Sequence, residues 1–343
     1  MSAPENTIDI LLLGSGGREH ALAAKLAESP RCGTLYIAPG NGGTLELGEN
    51  VALDAEDPSA VADFARETGC GLVVIGPEAP LVKGVADAVR EAGIPCFGPG
   101  AAGAQLEGSK RFSKELMARA GIPTAAYGSF TDEESALAYV REQGAPVVVK
   151  ADGLAAGKGV VVALTLDEAL QAVHECFDGA FGAAGSTVVI EEMLTGPECT
   201  LLAFTDGKTV RPMATSQDHK RALEGDLGPN TGGMGVYSPV PIVTDEEHAE
   251  MCRILDETIA AANREGIDFR GCLYGGFMLT PEGPKVIEYN ARFGDPETEV
   301  LMPRLKSDLV EVMLACADHL LDEGELVLCD YWALFVVLTS ASY

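Results

Sequence analysis

The chain has 343 residues, of which 47% are hydrophobic and 22% charged, so it is long enough for two or three folded domains and is unlike a disordered chain. Its 52 acidic and 24 basic residues give a formal charge of −28 at pH 7. Nucleic acids and anionic membranes both require a basic surface, so this composition excludes them as expected partners. The nine cysteines are scattered without a CxxC pair, which argues against a zinc site or a disulfide framework.

The first hundred residues alternate between strand-like and helix-like segments. Short apolar runs typical of buried strands lie at 8–13, 35–38, 72–75 and 95–97. Helical segments are predicted between them, at 18–28, 58–68 and 80–92. This alternation predicts an α/β, Rossmann-like domain with a parallel sheet over residues 1–100.

The segment GSGGREH (14–20) follows the first strand and begins a helix, as in dinucleotide-binding folds. However, the third glycine position holds Glu19, and the second strand ends in Ala38-Pro39 rather than in an acid that would bind ribose. The pattern therefore disfavours an NAD-dependent oxidoreductase. Tight binding of NADH without binding of ATP would support that alternative.

A second domain is predicted from 101 to 325, after a glycine-rich linker with a short helix at 98–109. Its predicted strands are 146–150, 160–164, 187–191, 199–205, 272–280 and 285–289. Long helices are predicted at 244–265 and 297–320. The polar, glycine-rich segment 217–235 is interpreted as a loop that lines the space for a second substrate.

Basic residues are scarce, yet several lie in glycine-rich segments. These are Arg18, Lys110, Arg111, Lys114, Lys150, Lys158, Lys220, Arg221 and Arg292. In so acidic a chain this placement indicates that they face concentrated negative charge, for which phosphate is the natural candidate. For the group at 110–114, a solvated helix face is an equally good explanation.

The segment VVVKADGLAAGKGVVV (147–162) predicts two strands joined by a glycine-rich flap. Backbone NH groups around Gly157, together with Lys150 and Lys158, would close over phosphates. It is not a P-loop, because Gly159 stands where that motif has Ser or Thr. A simple hairpin with incidental lysines is the alternative.

Two further segments carry candidate ligand groups. In VVIEEMLTGPE (188–198), Glu191 and Leu194 are candidates to present backbone groups to an adenine edge and Glu198 to bind ribose hydroxyls, although for this segment taken alone an exposed acidic turn is the better explanation. In KVIEYNARFGDPE (285–297), Glu288 and Asn290 are two residues apart on a strand and share one face, which suits Mg²⁺.

Together, GSGGREH, PGN (39–41), VVKADGLAAGKGV, QDHKR, GPNTGGMG and ARFGDPE resemble the phosphoribosylamine–glycine ligase family of the ATP-grasp superfamily. The resemblance implies that ATP phosphorylates glycine to an acyl phosphate, which the amine of 5-phosphoribosylamine attacks. It implies ATP and Mg²⁺ or Mn²⁺ as cofactors and a cytoplasmic monomer as the enzyme. The N-terminus also lacks the basic region of a signal peptide.

The resemblance also implies roles for individual residues. The ATP-binding set is Lys110, Lys150, Lys158, Gly157, Glu191, Leu194 and Glu198, and the metal ligands are Glu288 and Asn290. Candidates for glycine or phosphoribosylamine are Gly16, Arg18, Glu19, Asn41, Asp218, Lys220 and Arg292. Of these, the resemblance implies that Asp218, Lys220 and Arg292 take part in catalysis.

The implied architecture is a Rossmann-like substrate domain (1–100) and an ATP-grasp domain (101–325) with a small mobile flap subdomain at about 123–193. Residues 326–343 would begin a C-terminal lobe that is cut short, which would leave apolar surface at 332–338 unpaired. The strand 271–280 lacks the additional acid found in many ATP-grasp enzymes, so the number of metal ions stays open. Another ATP-grasp ligase or carboxylase and a non-catalytic nucleotide-binding module remain the competing interpretations.

Overall fold

A five-stranded parallel sheet opens the computed structural model, which describes residues 7–153, 159–180, 182–225 and 227–340. Its strands are β1 (Ile8–Gly14), β2 (Cys32–Pro39), β3 (Glu49–Asn50), β4 (Leu72–Ile75) and β5 (Cys96–Phe97), in the order β3-β2-β1-β4-β5. The strand order reverses between β1 and β4, and ligands of such sheets bind in the crevice at that point. The predicted Rossmann-like sheet is confirmed.

Helices cover this sheet on both faces. They are α1 (Gly17–Ala27), α2 (Pro58–Thr68), α3 (Glu78–Val82) and α4 (Val85–Glu91). The helix predicted at 80–92 is wrong in one respect: the chain breaks at Gly84, whose φ of +81° lies in the left-handed region that favours glycine.

Two helices lead from the first sheet into a small antiparallel sheet. They are α5 (Ala101–Gly108) and α6 (Lys110–Ala120). The sheet has the order β6-β9-β7-β8, with β6 (Tyr127–Phe130), β7 (Val147–Ala151), β8 (Val160–Ala163) and β9 (Val188–Glu192). Helices α7 (Glu133–Gln143) and α8 (Leu166–Phe177) pack on it around a separate apolar core that includes Val149 and Ile190. This unit carries Lys150 and Glu191.

A six-stranded antiparallel sheet forms the largest layer. Its order is β14-β13-β10-β11-β12-β15, with β10 (Glu198–Asp206), β11 (Val210–Leu223), β12 (Leu227–Ser238), β13 (Arg270–Thr280), β14 (Gly283–Asn290) and β15 (Ala333–Val336). Its helices are α9 (Asp245–Arg264), α10 (Glu297–Arg304) and α11 (Leu309–Ala317). The ring centroids of Phe97, Phe204 and Phe293 lie 5.6–6.0 Å apart, so the first sheet and this one share a core.

The loop predicted at 217–235 is wrong. These residues form most of the hairpin β11–β12, in which Asp218 pairs with Val236 and Gln217 with Tyr237. Backbone hydrogen bonds make the ladder regardless of side-chain type, and register shifts on either side of Arg221 accommodate the irregular sequence. The hairpin carries Asp218 and Lys220 on a strand instead of a loop.

Two other expectations change near the C-terminus. The helix predicted at 297–320 is two helices, because Asp308 accepts hydrogen bonds from the backbone of Val310 and Glu311 and starts α11 anew. The segment expected to be unpaired forms β15, which pairs with β12, although Leu334 and Val336 are exposed. Among the described residues, no helix combines the length and apolarity needed to span a membrane.

Candidate active site

Glu288 lies where the predicted cations converge. It is on β14, with Asn290 two residues further along the same strand. Although burial opposes ionisation, four cations lower the pKa of the Glu288 carboxyl. They are Lys220, Lys150, Lys110 and Arg292. Glu288 is therefore an anion surrounded by positive charge that comes from β11, β7, α6 and the segment after β14.

Lys150 belongs to a buried group of three charged side chains. Its Nζ lies 3.0 Å from Glu191 Oε1, and Lys114 Nζ lies 3.1 Å from Glu191 Oε2. The three side chains are 3–6% exposed. Glu191 was predicted at an adenine site, and the structure shows that its carboxylate is already held by two lysines.

Lys110 lies one helical turn before Lys114 on α6. Its Nζ donates a hydrogen bond to the carbonyl of Gly153, 2.9 Å away, at the start of the predicted flap. Burial lowers the pKa of Lys110, and the Glu288 carboxylate opposes that effect. The other predicted flap residues, Gly157 and Lys158, lie outside the described residues.

The predicted adenosine residues beyond Glu191 lie where the chain passes from β9 into β10. Leu194 is half-buried between β9 and β10, and Glu198 is exposed at the start of β10. The Glu198 carboxylate is 3.6 Å from Lys220 Nζ. Glu198 is thus adjacent to a residue predicted to bind the second substrate.

Acids surround Lys220. Asp218, on the same strand, lies 3.8 Å from Lys220 Nζ and its side chain is 6% exposed. Although burial opposes the charged form, the carboxylates of Glu288, Asp218 and others raise the pKa of Lys220 above its usual value. Lys220 therefore stays protonated at the pH of the cell.

Glu297 and Tyr274 extend this cluster and were not predicted. Burial, reinforced by the charge of Asp218, raises the pKa of Glu297 to about 7. The Tyr274 hydroxyl donates to Glu297 Oε1 over 3.0 Å. The sequence held a signal for Glu297, which begins a helix directly after the ARFGDP segment, but none for Tyr274 within GCLYGG.

Arg292 forms ion pairs with two acidic residues that were not predicted as part of the site. Its Nη2 lies 2.8 Å from Glu107 Oε1 and its Nε 3.5 Å from Glu78 Oε2. These carboxylates raise the pKa of Arg292 although burial opposes the charge. Glu107 also accepts a hydrogen bond from the backbone NH of Ala291, which fixes the chain just before the arginine.

The predicted glycine-rich loop is held by its own side chains. Arg18 Nε lies 2.5 Å from Glu19 Oε1, and Glu19 Oε2 accepts from the backbone NH of Gly16 over 2.6 Å. Arg18 and Arg292 both donate to the carbonyl of Phe293. The loop therefore lies directly against the segment that follows the Glu288–Asn290 pair.

Asn41 joins a second loop to the glycine-rich one. Its Nδ2 donates to the carbonyls of Ser15 and Gly16, over 3.0 and 3.3 Å. Its Oδ1 accepts from the backbone NH groups of Gly43 and Thr44. Every hydrogen-bonding atom of the amide has a partner within the protein.

The donor atoms of Glu288 and Asn290 suit a divalent cation. A carboxylate and an amide oxygen are hard donors of the kind that Mg²⁺ and Mn²⁺ prefer, and two protein donors leave positions for water and phosphate. In the part of the chain that the structure describes, no three His, Cys, Asp or Glu side chains are grouped so as to hold a metal ion. The pair would therefore depend on the nucleotide for further ligands.

Comparison with known families finds two matches that together cover most of the chain. The family model described as phosphoribosylglycinamide synthetase, N domain, matches residues 8–107. The model described as phosphoribosylglycinamide synthetase, ATP-grasp (A) domain, matches residues 108–298.

Individual relatives agree with these matches. The phosphoribosylamine–glycine ligase of Rhizobium meliloti (strain 1021) is 55% identical over 97% of this chain and 79% of its own length. That of Pasteurella multocida (strain Pm70) is 55% identical over 98% of this chain and 80% of its own length. The chain thus spans about four-fifths of these relatives.

Solved structures share the fold. The crystal structure of phosphoribosylamine–glycine ligase from Thermotoga maritima superposes with a TM-score of 0.84 at 32% identity, covering 98% of this chain and 81% of the other. The biotin carboxylase domain of the 2-oxoglutarate carboxylase from Hydrogenobacter thermophilus, solved with MgADP and bicarbonate, superposes with a TM-score of 0.74, covering 96% of this chain and 74% of the other. Because the two sequences are only 18% identical, this similarity shows that the fold is shared and nothing more.

Proposed function

The chain belongs to the phosphoribosylglycinamide synthetase family, and from this premise we propose how its residues carry out the family's reaction. It is a ligase that forms a C–N bond in de novo purine synthesis. Glycine is joined to 5-phosphoribosylamine through a glycyl phosphate, and ATP becomes ADP and phosphate. A carboxylate resists attack by an amine until one of its oxygens becomes a leaving group, which explains the need for phosphorylation.

The nucleotide would lie between the small antiparallel sheet and β14. Lys150 and Lys110 are the cations that would bind its phosphates. Gly157 and Lys158, predicted from the sequence to bind the same phosphates, lie outside the described residues. Adenosine would lie against the strand end at Glu191 and Leu194, with Glu198 at the ribose. Because the side chain of Glu191 is paired with lysines, its backbone is the part that we propose for adenine.

Glu288 and Asn290 would hold a divalent cation, Mg²⁺ or Mn²⁺, which supplies positive charge to the phosphate oxygens when it is bound. The lowered pKa of Glu288 keeps that ligand ionised. The same four cations that keep it ionised would also attract the polyphosphate.

Lys220 and Arg292 are proposed to stabilise the negative charge that develops as phosphate moves to glycine. Both are held protonated by neighbouring carboxylates. Asp218 would orient Lys220, and Glu107 would orient Arg292. Phosphoryl transfer needs positioning and positive charge more than a protein nucleophile, so this group of side chains suits that step.

Phosphoribosylamine would lie at the crevice between β1 and β4, beside the loop at Gly16. Arg18 and Glu19 shape that loop, and Asn41 fixes it to the segment after β2. The loop contacts the segment after β14 through Arg18 and Phe293. An amine bound there would be close to the residues proposed to form glycyl phosphate.

The observation that supports this assignment most directly is the convergence of four cations from different elements on Glu288. The test is ADP release measured with glycine and freshly prepared phosphoribosylamine, each added alone and together, with bicarbonate in place of glycine as the control. We expect release only when both substrates are present. Release that depends on bicarbonate, or on neither substrate, would contradict the proposal.

A further inference from the structure

The buried group formed by Lys114, Glu191 and Lys150, called the lysine triad below, has a feature that nucleotide binding alone does not explain. It contains two cations and one anion, all 3–6% exposed. Glu191 must therefore serve both lysines, and a buried charge that is only partly matched is costly. Lys150 has a second carboxylate near it, that of Glu288, so Lys114 is the lysine whose charge depends most on Glu191.

The lysine triad connects three structural elements to one strand. Lys114 Nζ donates to Thr124 Oγ1 over 2.7 Å, and Thr124 in turn donates to the carbonyl of Val286 over 2.6 Å. Lys150 Nζ donates to the carbonyl of the next residue, Ile287, over 3.2 Å. Both lysines are thus anchored to β14 immediately before Glu288.

The groups that face Lys114 come from every element around it. Glu191 and Glu192 lie on β9, Lys150 on β7, and the ring of Tyr127 on β6 at 5.7 Å. Burial, together with the nearby Lys150 charge, lowers the pKa of Lys114 to about 8, even though the two carboxylates oppose the shift. In the absence of a ligand, Lys114 is therefore the member of the lysine triad that would release a proton near pH 8.

We propose that Lys114 is a positioning residue that couples nucleotide binding to proton uptake, because the phosphates that Lys150 receives add negative charge to the lysine triad, in which one carboxylate serves two lysines. With the nucleotide bound, Lys114 stays protonated, Glu191 stays shared between the two lysines, and Lys150 keeps its place beside Glu288. The inference rests on the nucleotide site proposed above, and it adds a proton to the binding equilibrium.

The test is calorimetric titration of the protein with ADP in the presence of Mg²⁺, in two buffers of different ionisation enthalpy, at pH 8 and pH 7. The difference between buffers gives the number of protons taken up. We expect about half a proton at pH 8 and about a tenth at pH 7, since the group titrates near pH 8. No uptake by the wild-type protein at pH 8 would overturn the proposal.

Lys114→Arg is the matched variant, because arginine keeps the charge but does not titrate in this range. It should bind ADP with an affinity within about threefold of wild type and take up no proton. Lys114→Met should also take up none and should bind ADP roughly tenfold more weakly at pH 7, because Lys150 then pairs with Glu191 alone. Proton uptake that is unchanged in Lys114→Arg would place the titrating group elsewhere and overturn the proposal.

Lys150→Met tests the proposed nucleotide site independently of the role proposed for Lys114. If that variant binds ADP as tightly as wild type, the proposed nucleotide site is wrong and the proposal about Lys114 falls with it. If ADP binding depends on Lys150 but the wild-type protein shows no Lys114-dependent proton uptake, only the proposal about Lys114 is wrong.

Discussion

Glu288 and Glu19 are both carboxylates with basic neighbours, but the two groups of charges serve different purposes. Around Glu288, cations from several elements hold the carboxylate ionised, and Lys220, Lys150 and Arg292 each have a further carboxylate as a partner. Around Glu19, one arginine and one backbone NH occupy both carboxylate oxygens, and the side chain is 1% exposed. The first arrangement gathers cations from separate elements at one place, where the phosphates of a ligand would join them, and the second uses all of its charge within one loop.

This difference separates two ways in which a charged residue serves a binding site. A cation whose charge is not fully matched can stabilise a phosphate, so its loss should reduce activity with little effect on folding. A charge that is matched in the interior holds the backbone in place, so its loss should first reduce stability. The four predictions below test whether the two regions divide in this way.

Glu288→Gln should have the largest effect, a fall in kcat of about 10²–10³-fold. The amide removes the negative charge on which the cations converge and weakens the proposed metal site. The measurement is ADP release over a range of Mg²⁺ and Mn²⁺ concentrations. Glu282→Gln, at the exposed turn before the same strand, is the control and should behave as wild type. A fully active Glu288→Gln enzyme would show that the cation cluster is structural.

Glu19→Gln should lower the free energy of unfolding by about 3 kcal/mol, because it leaves Arg18 buried without its partner. Denaturant unfolding of the purified protein measures this change. The control is Glu28→Gln, near the end of α1, where the Glu28 side chain that pairs with Lys25 is largely exposed and the expected loss is below about 1 kcal/mol. Equal losses in the two variants would contradict the distinction between matched interior charge and surface charge.

Glu297 should make the protein less stable as the pH rises. Its pKa is raised to about 7 in the folded state, so the folded protein binds more protons than the unfolded chain between about pH 4.5 and 7. The unfolding free energy should therefore fall by roughly 3 kcal/mol across this window and then level off. In Glu297→Gln this part of the pH dependence should be absent. Denaturant unfolding curves measured at half-unit pH intervals test this, and a pH dependence equal to that of wild type would contradict the assignment to Glu297.

The elements best predicted from the sequence are those with local signals. Helix α2 runs from Pro58 to Thr68 as predicted, because Asp57 caps its start and Gly69 its end. The placement of Glu288 and Asn290 on one strand, two residues apart, was predicted because side chains alternate along a strand. The hairpin at 217–235 was missed because its pairing depends on neighbouring strands and not on its own composition.

The unpredicted charge pairs of the site share a different cause. Glu107 pairs with Arg292, and Lys114 pairs with Glu191, across long stretches of chain. Only the packing of α5 and α6 against the sheets brings these side chains together. A sequence shows which charges are available, whereas the partner of each charge is decided by the tertiary structure.

Asn41→Asp should have the smallest effect and tests the loop region without removing a charge pair. The carboxylate keeps the acceptor for Gly43 and Thr44 but loses both donors to the carbonyls of Ser15 and Gly16. Each lost hydrogen bond is worth about 1 kcal/mol, so the loss of two should raise KM for phosphoribosylamine roughly thirtyfold while kcat changes little.

Asn41→Ala distinguishes loop positioning from repulsion of the substrate phosphate by the new carboxylate. If positioning is the cause, KM rises in both variants, and if repulsion is the cause, it rises only in Asn41→Asp. Asn263→Asp, in which the amide donates to the carbonyl of Gly207 far from the loop, is the matched control and should leave KM unchanged. A normal KM in Asn41→Ala would mean that the glycine-rich loop keeps its shape through the Arg18–Glu19 pair alone.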